Sequence, residues 1–258
     1  MISKTKTNFI ISLQRKKVRD QEKLYVIEGD KIVNEYLMAK VNIKTLIALP
    51  EFIHSLSAEM MQYIGEIESA SYEELKKVST LKTTHNAIAV VPIPDYKINP
   101  DELFNGLTVA LDFVQDPGNL GTIIRAAAWF GIKDIICSNY TVDVYNPKVI
   151  HSTMGAILNV RVHYCDLKDF LKKAIEQAIP VYGTHIEGKS VYSQTLGKSG
   201  IILLGNESKG ISEQLLPYIT ERLMIPRFTT ALHGIDSLNV SMAASVIFSE
   251  FARRGKSL

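Results

Sequence analysis

Three short polar segments carry the side chains that could do chemistry. The first is Asn119-x-Gly121-x-x-x-Arg125-x-Ala127. The second runs Leu203-Leu204-Gly205-Asn206-Glu207-Ser208-Lys209-Gly210-Ile211. The third is Ser237-Leu238-Asn239, followed by Val240-Ser241-Met242-Ala243-Ala244. Together they offer carboxamides, a carboxylate and a guanidinium, groups that orient and stabilise a polar ligand. Taken singly, each has a modest explanation. Asn119 caps a turn, Glu207 caps the helix after it, and Ser237 and Asn239 cap the last helix. All three in one stretch of alternating strands and helices converge on a binding site. Other chemistries lack their signatures. The chain has no GxxxxGK[ST], no GxGxxG after its first strand, and no HExxH, GxSxG or paired-cysteine zinc pattern.

The elements that position these residues can be read from apolar spacing. Leu107 to Val114 has the composition of a buried strand. Gln115-Asp116-Pro117-Gly118-Asn119 breaks it with turn formers. Gly121 is expected to open a helix with Ile123, Ile124, Ala127 and Phe130 at helical spacing, and Gly131 to end it. Asn119 then lies in the turn and Arg125 in the helix, at the rim where open α/β sheets bind ligands. The strands of this domain are expected at 109–114, 134–137, 160–164, 180–184, 200–204 and 222–225. Helices are expected at 120–130, 147–152, 167–177, 212–217 and 238–253. Such alternation predicts a parallel sheet covered by helices. The last helix is apolar on more than one face, through Val240, Met242, Ala243, Val246, Ile247 and Phe251.

Residues 1–94 read as a separate small α/β domain, 95–106 as a linker containing Pro100, and 107–258 as the second domain. The first domain shows no constellation of catalytic groups. Its polar start carries Arg15, Lys16, Lys17 and Arg19, either a solvated helix or a set of RNA-phosphate contacts. The 258-residue chain carries a net charge of only +2, so any nucleic-acid surface must be local. Cys137 and Cys165 form neither a disulfide framework nor a metal motif, which fits a reducing compartment. No apolar run reaches the ~18 residues of a membrane span, and Phe9 to Leu13 is too short for a signal core. A cytoplasmic protein is expected.

The three segments resemble motifs 1, 2 and 3 of the SpoU-type (TrmH-type) RNA ribose 2′-O-methyltransferases of the SPOUT superfamily. The match runs from Leu107 to Arg254 in order and spacing. Tyr25-Val26-Ile27-Glu28-Gly29, after the basic start, resembles the substrate-binding domain that precedes many of these enzymes. The resemblance implies a parallel-sheet SPOUT domain with a deep trefoil knot, a homodimer, and S-adenosylmethionine as cofactor with no metal. It implies a cofactor pocket from Gly183, Thr184, Leu204, Gly205, Asn206, Ile225, Ser237, Leu238 and Asn239. It gives Asn119, Arg125, Glu207, Ser237 and Asn239 as the functional polar positions. Arg125 is then either a base or a charged stabiliser of the ribose alkoxide and a phosphate. A base role is uphill for a guanidinium. Ribosomal RNA is the favoured substrate, with transfer RNA the alternative. A base-directed SPOUT enzyme and a non-catalytic RNA-binding homologue are the rival readings. The chain departs from the family in a longer loop between Pro226 and Ser237, with Arg227 where methionine is common, and in His151 before Ser152 and Gly155.

Overall fold

The computed structural model describes residues 2–228 and 237–255. The chain forms two units, one of 2–95 with 143–158 and one of 96–142 with 159–255. The first contains α1 (Lys4–Ser12), α2 (Lys16–Glu22), β1 (Leu24–Glu28), α3 (Asp30–Met38), β2 (Thr45–Ala48), α4 (Pro50–Ser55), α5 (Ala58–Met61), β3 (Ile67–Ser69), α6 (Tyr72–Val78) and β4 (Ala87–Pro92). Its four-stranded sheet has the order β1-β4-β2-β3, mixed in direction. Helix α6 starts at a side-chain cap. Ser71 accepts the Glu74 N–H while the Glu74 carboxylate accepts the Ser71 N–H, a capping box.

The second unit continues with α7 (Pro100–Phe104), β5 (Leu107–Leu111), α8 (Pro117–Trp129) and β6 (Asp134–Ser138). The chain then contributes 143–158, with α9 (Pro147–Thr153), to the first unit. It returns with β7 (Arg161–Cys165), α10 (Leu167–Glu176), β8 (Val181–Ser190), β9 (Gly200–Leu204), β10 (Glu221–Met224) and α11 (Val240–Gly255). All six strands are parallel, in the order β10-β8-β9-β5-β6-β7. Strand order runs one way from β5 through β6 to β7 and the other way from β9 through β8 to β10. The reversal lies between β5 and β9, the place where such sheets bind ligands beyond their carboxyl ends. The α/β class and the parallel sheet agree with the sequence-based expectation. The C-terminal part for which a knot was implied includes 229–236, outside the described residues, as does most of the long loop before Ser237.

Several local features differ from expectation. Helix α8 begins at Pro117 rather than Gly121, because the Asp116 side chain caps it by accepting the Asn119 N–H at 2.8 Å and Pro117 suits a first turn. Strand β5 stops at Leu111, since Phe113 turns to a φ of +62°. Strand β8 runs on to Ser190, with a register shift that leaves 184–188 opposite no residue of β10. Pro217 restricts the stretch Glu213–Tyr218 to a 3-10 helix. Arg19 is the main correction. Its side chain is buried, donating at 2.8 and 2.7 Å to the carbonyls of Leu13 and Gln14 and pairing with Asp143. A guanidinium so occupied cannot reach a phosphate, so Arg19 leaves the RNA-binding set. Among the described residues no helix is long and apolar enough to cross a membrane.

Helix α11 is buried through Val240, Ala244, Ile247, Phe248 and Phe251, and an ion-paired end holds it down. The buried Glu250 accepts from Arg253 at 2.9 and 2.8 Å and from Arg254 at 2.7 Å, and Arg254 also donates to the carbonyls of Val191, Tyr192 and Gln194. Hydrogen bonds from Arg253, then Arg254, push the Glu250 carboxyl down to about 2, against its desolvation. A depressed carboxyl contributes stability that is complete above its ordinary value near 4.5 and is lost as pH falls towards 2. Glu250→Gln is therefore expected to destabilise the protein by roughly 1–3 kcal/mol at pH 7. The gap to wild type should close between about pH 4.5 and 2 in chemical denaturation. A gap that stayed constant with pH would contradict this account.

Candidate active site

The polar segments meet at the carboxyl ends of β5 and β9. Helix α8 places Asn119 in its first turn, one residue past Pro117-Gly118. The Asn119 carboxamide donates to Glu207 Oε1 at 2.9 Å and accepts from Asn239 Nδ2 at 2.9 Å. One residue from each segment is thereby joined in a chain, Asn239 to Asn119 to Glu207. Asn239 also caps α11, its Oδ1 accepting the Ser241 N–H at 2.9 Å and the Ser241 hydroxyl at 2.7 Å. Asn239 thus caps α11 through Oδ1 and reaches Asn119 through Nδ2.

The loop after β9 is closed on itself by hydrogen bonds. Asn206 and Gly210 exchange two backbone hydrogen bonds of 2.9 Å, so residues 206–210 form a closed turn. Its near side is so tight that a Cβ at Gly205 would run into the backbone of Gly210 and Ile211. Asn206 Oδ1 accepts the N–H groups of Ser208 and Lys209 at 3.0 Å, while its Nδ2 donates to the Phe113 carbonyl at 2.9 Å and to Glu207 Oε2 at 3.3 Å. Asp112, buried at the end of β5, accepts the Ser212 N–H at 2.8 Å and fixes the far end of the loop.

These residues line a cleft of about 630 Å³, formed by Phe113, Gln115, Asp116, Asn119, Asn206, Glu207, Ser208, Lys209 and Asn239. The volume is within the range of small-molecule sites. Two carboxylates and one ammonium give the lining a negative balance that suits a cationic ligand such as a sulfonium. The residues present thus fit S-adenosylmethionine in charge and size. Of the expected cofactor positions, Asn206 and Asn239 line the cleft. Leu204 and Gly205 lead into it from β9. Gly183 and Thr184 lie on β8 beside Leu203, Ile225 follows β10, and Ser237 and Leu238 are exposed just before α11. None of these last five lines the cleft.

Arg125 stands apart. Six residues of helix carry it about 240° around the axis from Asn119 and about 9 Å along it. It is exposed, lines no part of the cleft, and has no hydrogen bond or ion pair among the described residues. Glu207 is half-buried and committed to Asn119 and Asn206. Sequence reasoning missed Asp112, Phe113, Gln115, Asp116 and Lys209. The Asp-Pro pair was a legible helix-start signal for Asp116. Nothing local pointed to Phe113.

Comparison with known proteins adds an independent line. The family model described as "SpoU rRNA Methylase family" matches residues 106–249, and one described as "MRM3-like substrate binding domain" matches residues 4–89. The 23S rRNA (guanosine(2553)-2′-O)-methyltransferase of Bacillus subtilis is 27% identical over 238 residues, covering 91% of each chain. A protein of the TrmH family of RNA methyltransferases from Porphyromonas gingivalis is similar in structure, with a TM-score of 0.88 and 34% identity over 98% of this chain and 99% of its own. An rRNA methyltransferase from Sinorhizobium meliloti, solved with S-adenosylmethionine bound, gives a TM-score of 0.86 and 26% identity over 100% of this chain and 98% of its own.

Proposed function

The chain belongs to the SpoU rRNA methylase family, and from that premise we propose that it transfers a methyl group from S-adenosylmethionine to a ribose 2′-hydroxyl of ribosomal RNA in the cytoplasm. The observation that carries this reading is the Asn239–Asn119–Glu207 chain at the sheet's reversal point, which joins all three motif segments. The B. subtilis and S. meliloti relatives, both named for rRNA, favour ribosomal over transfer RNA.

Bound S-adenosylmethionine supplies a methyl group already activated by sulfonium charge. By the resemblance of the motifs, Leu204, Gly205, Asn206, Ile225, Ser237, Leu238 and Asn239, with Gly183 and Thr184 of β8, are assigned to hold it, and of these Asn206 and Asn239 line the cleft. The carboxylates of Asp116 and Glu207 favour its positive charge. The ribose hydroxyl is a weak nucleophile whose oxygen gains charge as its proton leaves. Arg125, exposed and without a hydrogen bond or ion pair among the described residues, is assigned by its place in the first motif to stabilise that charge and a neighbouring phosphate. Asn119 and Glu207 hold the start of α8 and the 205–211 loop in one geometry, and alignment of two substrates supplies much of the rate.

We assign RNA grip to the first unit and methyl transfer to the second. The match of residues 4–89 to a substrate-binding domain supports this, as do the exposed side chains of Arg15, Lys16 and Lys17. We also place a second copy of the chain against α8 and α11. Trp129 is 85% exposed and Met242 60%, a large apolar area for one protomer to leave in water.

Three outcomes are expected. Arg125→Ala should abolish methyl incorporation into ribosomal RNA from a strain lacking the gene, with S-adenosylmethionine affinity within about twofold by calorimetry. Substantial turnover by the folded variant would end the assignment, and incorporation into transfer RNA alone would redirect the substrate. Replacing Arg15, Lys16 and Lys17 together by Ala should weaken RNA binding and lower its salt slope by roughly one unit per lost phosphate contact, without moving cofactor affinity. An unchanged slope would remove the patch from the interface. Sedimentation at micromolar concentration should give twice the chain mass of 28.8 kDa, and a monomer would contradict the pairing.

A further inference from the structure

A residue of the cleft lining, Phe113, belongs to an aromatic pair that neither the methyl-transfer chemistry nor the core accounts for. Phe113 follows the end of β5 with a φ of +62°, a left-handed conformation that a bulky residue adopts only when its surroundings impose it. Both of its backbone groups are pinned. Its N–H donates to Ser138 Oγ at 3.0 Å, and its carbonyl accepts from Asn206 Nδ2 at 2.9 Å. Phe113 is one of the residues that line the cleft. On its ring lies the ring of Tyr140, with centroids 4.9 Å apart and planes 23° from parallel.

Tyr140 is held there by a turn of its own. The Thr141 N–H closes on the Ser138 carbonyl at 3.0 Å, with Asn139 and Tyr140 at the corner. Thr141 Oγ1 contacts Ser138 Oγ at 3.1 Å and the Leu111 carbonyl at 3.2 Å, and the Val142 N–H donates to Val114 at 2.9 Å. The turn after β6 is therefore fastened to the chain just before α8, on both sides of Phe113. Yet this fastening does not bury Tyr140, which is 69% exposed. A tyrosine recruited for core stability would be covered. This one presents a flat π face to solvent, one residue contact from the amides that organise the cleft.

We propose that the Phe113–Tyr140 stack is a nucleobase platform, receiving the base of the target nucleotide or of its immediate neighbour. The proposal rests on the reading of the substrate as RNA. Proteins recognise single-stranded RNA by stacking splayed bases on aromatic side chains. A ribose positioned at the cleft brings a base within one nucleotide of its rim. The exposed Lys209 on the same cleft suits the accompanying phosphate. The fixed backbone at Phe113 keeps the platform in place before RNA arrives, so little ordering accompanies binding.

The test uses the full chain and unmodified ribosomal RNA transcribed in vitro, comparing wild type with Tyr140→Phe, Tyr140→Trp, Tyr140→Leu and Tyr140→Ala. Filter binding across a salt series gives RNA affinity, calorimetry gives S-adenosylmethionine affinity, and methyl incorporation is followed in parallel. Leu and Ala should weaken RNA binding roughly tenfold, the order of one lost base stack, while Phe and Trp stay within about twofold. The salt slope should be the same for all five proteins, because stacking releases no counterions. Cofactor affinity should not change. RNA binding by Tyr140→Leu as tight as wild type would overturn the platform, as would a loss of cofactor affinity in step with RNA affinity. If RNA binding across the variants showed the aromatic dependence but wild type transferred no methyl, the platform would stand and the methyl-transfer reading would fall. If methyl transfer proceeded with no aromatic dependence, the reverse would hold.

Discussion

Asn119 is the joint on which the site depends. A carboxamide both donates and accepts, and here it does so in opposite directions, donating to Glu207 and accepting from Asn239. Its backbone N–H is separately bonded to Asp116. One residue thus ties the start of α8, the closed loop after β9 and the cap of α11. Neither Asp nor Leu could substitute, since the first donates nothing and the second neither donates nor accepts. The neighbouring amide, Asn206, does the same at shorter range, holding its own loop with Oδ1 and the Phe113 carbonyl with Nδ2. The cleft's walls are therefore set by side-chain amides as well as by apolar packing, and its geometry is present before any ligand binds.

Much of this arrangement was legible from residues alone. The apolar run into Asp116-Pro117-Gly118-Asn119 announces strand, turn and helix, and the alternation that follows announces a parallel sheet. What stayed hidden was non-local. Arg19 reads as surface charge in a basic stretch, yet its partner Asp143 lies 124 residues away, in the excursion that joins the first unit. No window of sequence contains both. The extension of β8 past Thr184 depends on β10, which re-registers against it only after 184–188 bulge out. Phe113 has the composition of a strand residue. Its left-handed turn is imposed by Ser138 and Asn206, partners 25 and 93 residues distant.

Helix periodicity sets a constraint of a different kind on Arg125. Asn119 and Arg125 are separated by a spacing that cannot place both on one face of α8. The helix accordingly serves two surfaces. Its first turn belongs to the cleft, and its outer face carries Thr122, Arg125 and Trp129, all exposed. A spacing of seven would have brought the guanidinium to the same side as the amide, where Glu207 could have paired with it. A pair so formed would neutralise the charge that a phosphate or a developing alkoxide needs. The observed spacing keeps the carboxylate engaged with amides and the guanidinium free of it. On the proposed mechanism, the cation meets its anion only when RNA spans from the cleft rim across the outer face of α8. Contact with a phosphate of the bound RNA then contributes to affinity, and only the part of the interaction that strengthens as charge develops on the ribose oxygen raises the rate.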